Sequence, residues 1–114
     1  MLDSIGFVPD STTGIKYESL LNNDFRLIRN YPNPFNPSTT IVFTLPKTDK
    51  VVISIYNVLG EKIIKLADGE YISGKNEVTW YGTDQKGSAA ESGIYFYTIK
   101  YQDRIQTGKM VLTK

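Results

Sequence analysis

Few side chains in this chain could carry out chemistry, and the types it lacks narrow the choice. There is no histidine and no cysteine. Without histidine, the commonest general base and the commonest metal ligand are gone. Without cysteine there is no thiolate nucleophile, no disulfide framework and no thiolate metal site. Carboxylate, lysine and tyrosine chemistry remain. Past the N-terminal segment the acidic residues include Asp49, Glu61, Asp68, Glu70, Glu77, Asp84 and Glu91, mostly in or beside turn-forming stretches. Glycoside hydrolysis would need two of them held across a cleft, and a domain this small leaves little room for one. No catalytic residue is assigned, and the chain is not expected to be an enzyme.

The run Trp80-Tyr81-Gly82-Thr83-Asp84-Gln85-Lys86-Gly87 comes closest to a calcium loop. It offers one carboxylate where such loops use several oxygen ligands. Asp84 is more simply a turn residue that accepts backbone N–H bonds. No metal and no other cofactor is expected, and no glycine pattern matches a phosphate-binding loop. A formal charge of +1 is too balanced for an electrostatic nucleic-acid binder. No apolar run is long enough to span a bilayer, so no transmembrane segment is expected. Met1 opens no basic and apolar leader.

The aromatic stretch Gly93-Ile94-Tyr95-Phe96-Tyr97 admits two readings. As a strand it puts Tyr95, Tyr97, Ile99 and Tyr101 on one face, and Ile94, Phe96, Thr98 and Lys100 on the other. The second face turns polar, so the tyrosine face is expected to pack inward, each ring adding apolar area with its hydroxyl at the rim. A sugar-binding platform would instead need exposed rings, for which Tyr56, Tyr71 and Tyr81 remain.

These residues must be positioned by strands, because alternation recurs and no helical period does. With 114 residues the chain suits one domain plus a tail, large enough to fold without staples. Residues 1–24 show no clean period and read as a linker, the end of something upstream, with room for a helical turn at Lys16–Asn23. Short strands follow at Phe25–Ile28, Thr39–Leu45, Val51–Tyr56 and Glu61–Leu66, then one around Val78 and Trp80, and a last hairpin of Gly93–Tyr101 and Arg104–Leu112. Lys47–Lys50, Asn57–Gly60, Asp68-Gly69, Ser73-Gly74, Thr83–Ser92 and Gln102-Asp103 supply turn signals, with Asn57 and Gly60 suited to unusual φ values. The expected fold is all-β, an antiparallel immunoglobulin-like sandwich of about seven strands. Its inward residues would be Ile41, Phe43, Leu45, Val51, Ile53, Ile55, Ile63, Leu66, Val78, Trp80, Tyr95, Tyr97, Ile99, Met110 and Leu112.

One stretch stands apart. In Asn30–Pro46, NYPNPFNPSTTIVFTLP, Pro32, Pro34 and Pro37 fix φ, remove backbone donors and push the preceding residues toward extended geometry. Tyr31–Pro37 should form a stiff ribbon that stays out of any sheet interior. It is expected to pack as a fixed collar at one end of the sandwich. The terminal run Gln106–Lys114 can be an edge strand whose lysines deter pairing, or a strand that a partner recognises.

These features together resemble a known family, the type A C-terminal sorting domains of the type IX secretion system. The resemblance covers Phe25 to Lys114. It rests on Asn30–Ile41, on Ile55-Tyr56-Asn57-Val58-Leu59-Gly60, on Trp80, Gly82-Thr83-Asp84 and Gly87, on Ser92–Tyr97, and on Lys109-Met110-Val111-Leu112. It implies a signal domain, residues 25–114, that directs an attached cargo protein across the outer membrane. The implied partners are the outer-membrane translocon and its shuttle proteins, a sortase-like peptidase that removes the domain within residues 1–24, and the upstream cargo. The implied route is transit through the periplasm, then the cell surface or medium. By position, the implied recognition residues are Pro32, Asn33, Pro34, Asn36 and Pro37, then Gly93 and Tyr95, then Lys109 and Lys114. Trp80–Tyr97 is also similar to the immunoglobulin-like domain of flagellar hook-capping proteins, where it is structural. The ribbon and the last strand therefore carry the sorting inference. Tyr81 stands where the family often has Asp. The competing readings are a carbohydrate-binding or adhesive module on a secreted glycosidase, and a structural spacer or dimerising edge strand.

Overall fold

The computed structural model describes residues 25–114. The linker expected over residues 1–24, its helical turn and the cleavage position all lie outside the described residues. Seven strands follow in order: β1 (Arg26–Tyr31), β2 (Thr39–Leu45), β3 (Asp49–Tyr56), β4 (Lys62–Tyr71), β5 (Gly74–Trp80), β6 (Gly93–Tyr101) and β7 (Arg104–Leu112). They form two sheets, one ordered β1-β2-β5 and the other β4-β3-β6-β7. Every strand pair is antiparallel. The chain is the all-β sandwich that the alternation predicts.

Period-2 patterning explains the core. Along β2, Ile41, Phe43 and Leu45 are buried; along β3, Val51, Ile53 and Ile55; along β6, Tyr95, Tyr97, Ile99 and Tyr101. The tyrosine face of β6 is thus the inward one. Met110 and Leu112 complete it from β7. Of the other expected inward residues, Ile63, Leu66 and Val78 are half-buried against this core. Two buried rings lie outside the expected set, Phe25 and Phe35. Phe25 packs 5.2 Å from Tyr101, centroid to centroid.

Several boundaries differ from expectation, each for a tertiary reason. The first strand, expected at Phe25–Ile28, runs on to Tyr31 and absorbs a register shift between Leu27 and Arg29. Pro32 then ends it. The turn expected at Lys47–Lys50 is shorter, because Asp49 and Lys50 already pair with Tyr71 and Glu70. The break expected at Asp68-Gly69 does not occur: β4 continues through it, held by pairing of Val52 with Asp68 and Val51 with Gly69. At the β3–β4 turn only Gly60 takes a positive φ, +81°. Asn57 acts through its side chain instead, accepting from the Leu59 and Glu61 amides at 3.0 Å each.

Candidate functional site

The proline ribbon is tied to the last strand. β6 occupies one edge of β7. The other edge would expose the N–H and C=O groups of Lys109, Val111 and Thr113, an invitation to strand addition. The ribbon takes four of those groups. The side-chain amide of Asn33 donates to the Lys109 carbonyl at 3.2 Å and accepts from the Val111 N–H at 3.0 Å. Two residues on, the Phe35 N–H donates to the Val111 carbonyl and the Phe35 carbonyl accepts from the Thr113 N–H, both at 2.9 Å. Phe35 pairs with Leu112 in a single parallel bridge. The ribbon joins no sheet interior; it covers an edge. Its Tyr31–Pro32, Asn33–Pro34 and Asn36–Pro37 peptide bonds are cis.

Phe35 anchors the ribbon, with its ring almost completely buried. Its centroid lies 5.5 Å from Trp80, which lies 5.3 Å from Tyr95 in an edge-to-face arrangement. This row runs from the ribbon through β5 into β6. Trp80 donates its indole N–H to the Thr83 carbonyl at 2.8 Å, and Tyr95 donates its hydroxyl to the Glu91 carbonyl at 2.6 Å, so both polar atoms of the row are satisfied. Burial first, and then the Glu91 charge, pushes the Tyr95 phenol up. At the far side of the ribbon, a Cβ on Gly82 would stand 3.0 Å from the Pro37 carbonyl oxygen. That is tighter than an ordinary Cβ contact, and the φ of +70° at Gly82 also favours glycine there.

A polar chain fixes the ribbon's other end. Tyr97 donates its hydroxyl to Asn30 Oδ1 at 3.2 Å. Asn30 Nδ2 donates to Thr39 Oγ1 at 3.2 Å, and the Thr39 hydroxyl donates to the Pro32 carbonyl at 2.8 Å. Thr39 is buried, where an unpaired hydroxyl would cost stability; here it both donates and accepts. Tyr97 reaches Asn30 by lying across Gly108, its cross-strand partner. A Cβ on Gly108 would overlap the tyrosine ring. Burial pushes the Tyr97 phenol up to about 12.

The implied recognition residues therefore gather at one end of the sandwich. Pro32, Asn33, Pro34, Asn36 and Pro37 are exposed on the ribbon's outer side, and Lys109 and Lys114 are exposed beside it. Gly93 is exposed opposite Leu112, which in turn pairs with Phe35. Its φ of +153° lies where side-chain-bearing residues rarely go. Tyr95 differs from the rest: it faces the core and supports the ribbon from beneath. Sequence reasoning did not single out Phe35, Asn30 and Thr39. The available signal was Phe35 itself, an aromatic residue inside an otherwise polar proline run.

The other candidate arrangements do not form. Asp84 accepts from the Lys86 and Ser88 amides at 2.9 Å each through one oxygen, closing its own turn. Among the described residues no group of acidic side chains could hold a metal ion. Tyr56 and Tyr71 sit at opposite ends of the β3–β4 pair, about 23 Å apart at strand spacing. Tyr71 is half-buried edge-on against Phe43, and Tyr81 lies beyond β5 in the other sheet. The three do not make a sugar platform. Among the described residues no helix is long and apolar enough to cross a membrane.

Comparison with known proteins agrees with this geometry. The fold is shared with part of latent dimeric PorU from Porphyromonas gingivalis, at TM-score 0.60 and 18% identity over 85% of this chain and 10% of that one. It is shared also with part of PorZ, an essential surface component of the type IX secretion system of the same organism, at TM-score 0.52 and 17% identity over 75% and 11%. The chain thus spans about a tenth of the length of either. No curated protein matches it. The family model described as the CHU_C type IX secretion signal domain matches residues 27–113, from β1 through β7 and the whole proline ribbon, and the chain belongs to that family.

Proposed function

We propose that residues 25–114 serve as the export address of a larger protein, and that the type IX machinery reads the composite surface formed by the proline ribbon and the end of β7. The observation that carries this reading is the double clamp of Asn33 and Phe35 on Lys109, Val111 and Thr113. It joins the two stretches that the family resemblance marks, and it turns the prolines and Lys109 toward solvent. In this reading Pro32, Asn33, Pro34, Asn36, Pro37, Gly93, Lys109 and Lys114 contribute to the surface, while Tyr95 holds it from inside. The partners are the translocon with its shuttle proteins, and a sortase-like peptidase acting within residues 1–24. The route is periplasm, then cell surface or medium. No step requires catalysis by this domain.

The test is fusion of residues 1–114 to a periplasmic reporter in a host with type IX machinery. The reporter is expected at the surface or in the medium. Deletion of Lys109–Lys114, which removes all four clamped backbone groups, is expected to retain it in the periplasm. Periplasmic retention of the intact fusion, or export unaffected by the deletion, overturns the reading.

A further inference from the structure

The outer face of the four-stranded sheet carries an arrangement that the ribbon does not use. Strand register places Tyr56 between Lys62 on β4 and Phe96 on β6, and Phe96 opposite Lys109 on β7. One row across the sheet therefore reads Lys62, Tyr56, Phe96, Lys109. Both rings are half-buried and both lysines are exposed. Three strand spacings separate the lysines, about 14 Å, with the ring pair between them.

Four residues along the sheet, Val52 lies between Asp68 and Lys100. Here a shallow depression of about 280 Å³ is lined by Asp49, Lys50, Val52, Lys100 and Gln102, with the Asp49 carboxylate engaged by the Lys50 amide and Gln102. Asp68 holds Lys50 at 3.4 Å and Lys65 at 3.1 Å, so those two charges are answered. Among the described residues, Lys62, Lys100 and Lys109 have no carboxylate partner. A chain of net charge +1 thus gathers, among the described residues, three unanswered cations around Val52, Tyr56 and Phe96, with the Ser54–Thr98 pair between them.

We propose that this face binds an extended acidic segment of a partner protein. Carboxylates of that segment meet Lys100 at one end and the Lys62–Lys109 row at the other, and an apolar side chain between them lies against Tyr56 and Phe96. The two cation positions are four residues apart along the strands, about 13 Å, so an extended segment spans them with carboxylates about four residues apart. Charge and geometry favour protein over other anions. Side chains on a strand stand roughly perpendicular to the sheet, so these rings offer edges rather than the coplanar faces that sugars stack on. Two rings are also a small apolar area to bury in a lipid surface. An aromatic centre with a charged rim is the usual anatomy of a protein contact.

This inference goes beyond the export reading and needs no part of the ribbon. Lys109 borders both surfaces, so the test uses the other residues. The full 114-residue chain, isotopically labelled, is titrated with a random glutamate–tyrosine copolymer, with heparin and with phosphatidylglycerol vesicles. Amide shifts are expected to cluster on Val52, Tyr56, Phe96 and Lys100 with the copolymer. The double variant Lys62→Glu, Lys100→Glu is expected to weaken copolymer binding by roughly tenfold, with the thermal midpoint unchanged. Phe96→Ser should also weaken it, and the charge variants keep the test valid should that one not fold. Shifts confined to the ribbon, or affinity unchanged in the charge variants, overturn the site. Heparin or vesicles binding this face as tightly as the copolymer overturns the partner class.

Discussion

The side-chain amide of Asn33 meets the main chain of Val111 as a strand residue would, accepting its N–H at 3.0 Å while donating to the neighbouring Lys109 carbonyl at 3.2 Å. Proline flanks Asn33 on both sides and has no N–H to offer. A side-chain amide, with its own donor and acceptor, supplies what the flanking backbone cannot. Asn33→Ala is expected to cost about 1 kcal/mol, since both bonds are solvent-accessible and each is worth little net. The local effect should be larger than the global one. The Val111 amide should lose hydrogen-exchange protection while β3 and β6 amides keep theirs, and reporter export should fall.

Phe35→Ala tests the anchor rather than the clamp. The ring is fully buried against Trp80, and large-to-small changes at such sites cost about 3–5 kcal/mol. Thermal melting should drop well below wild type, with Trp80 fluorescence shifting to the red as water reaches the indole. A variant that melts like wild type would show that the ribbon is not held by this side chain.

Gly108→Ala drives a methyl group into the Tyr97 ring. The ring must move off Asn30, so the polar chain through Thr39 to Pro32 opens at its first link. Overpacking of this kind costs about 1–3 kcal/mol. Tyr97→Phe removes only the hydroxyl and should cost about 1 kcal/mol. Paired with Gly108→Ala it should be less than additive, which a double-mutant cycle from urea midpoints will show.

Tyr97 also sets a pH dependence. Burial pushes its phenol up to about 12, above the ordinary value near 10 for an unfolded chain. Between those values the unfolded state binds fewer protons than the folded one, so stability falls as pH rises. The contribution is intact below pH about 10 and is lost progressively toward pH about 12. Urea midpoints from pH 8 to 12 should decline over that window, and Tyr97→Phe should flatten the decline.

Most of the sandwich was legible because one physical signal repeats through it. Ile41-Val42-Phe43-Thr44-Leu45 and Tyr95-Phe96-Tyr97-Thr98-Ile99 alternate, and a half-buried strand requires that alternation. Where local and tertiary preferences conflict, sequence reasoning failed. Asp68-Gly69 is a strong turn signal, yet pairing with Val52 and Val51 keeps it in β4. The ribbon end was legible in part. The prolines announce a ribbon, but nothing near Asn33 or Phe35 in sequence says what they touch. Their partners lie more than seventy positions away and are met through backbone groups, which carry no residue signature. Asn30 and Thr39 were hidden for a related reason: polar residues within a strand pattern look like its solvent face, and only Tyr97 from the opposite sheet makes them interior.

The clamp joins residues 76 to 78 positions apart, so the domain's display depends on its own completion. A product truncated within β7 before Lys109 still contains every proline of the ribbon. It lacks the backbone to which Asn33 and Phe35 attach. Such a product presents the letters of the address without their arrangement. On the proposed reading, recognition of this surface therefore also requires a chain translated and folded through to its final strand.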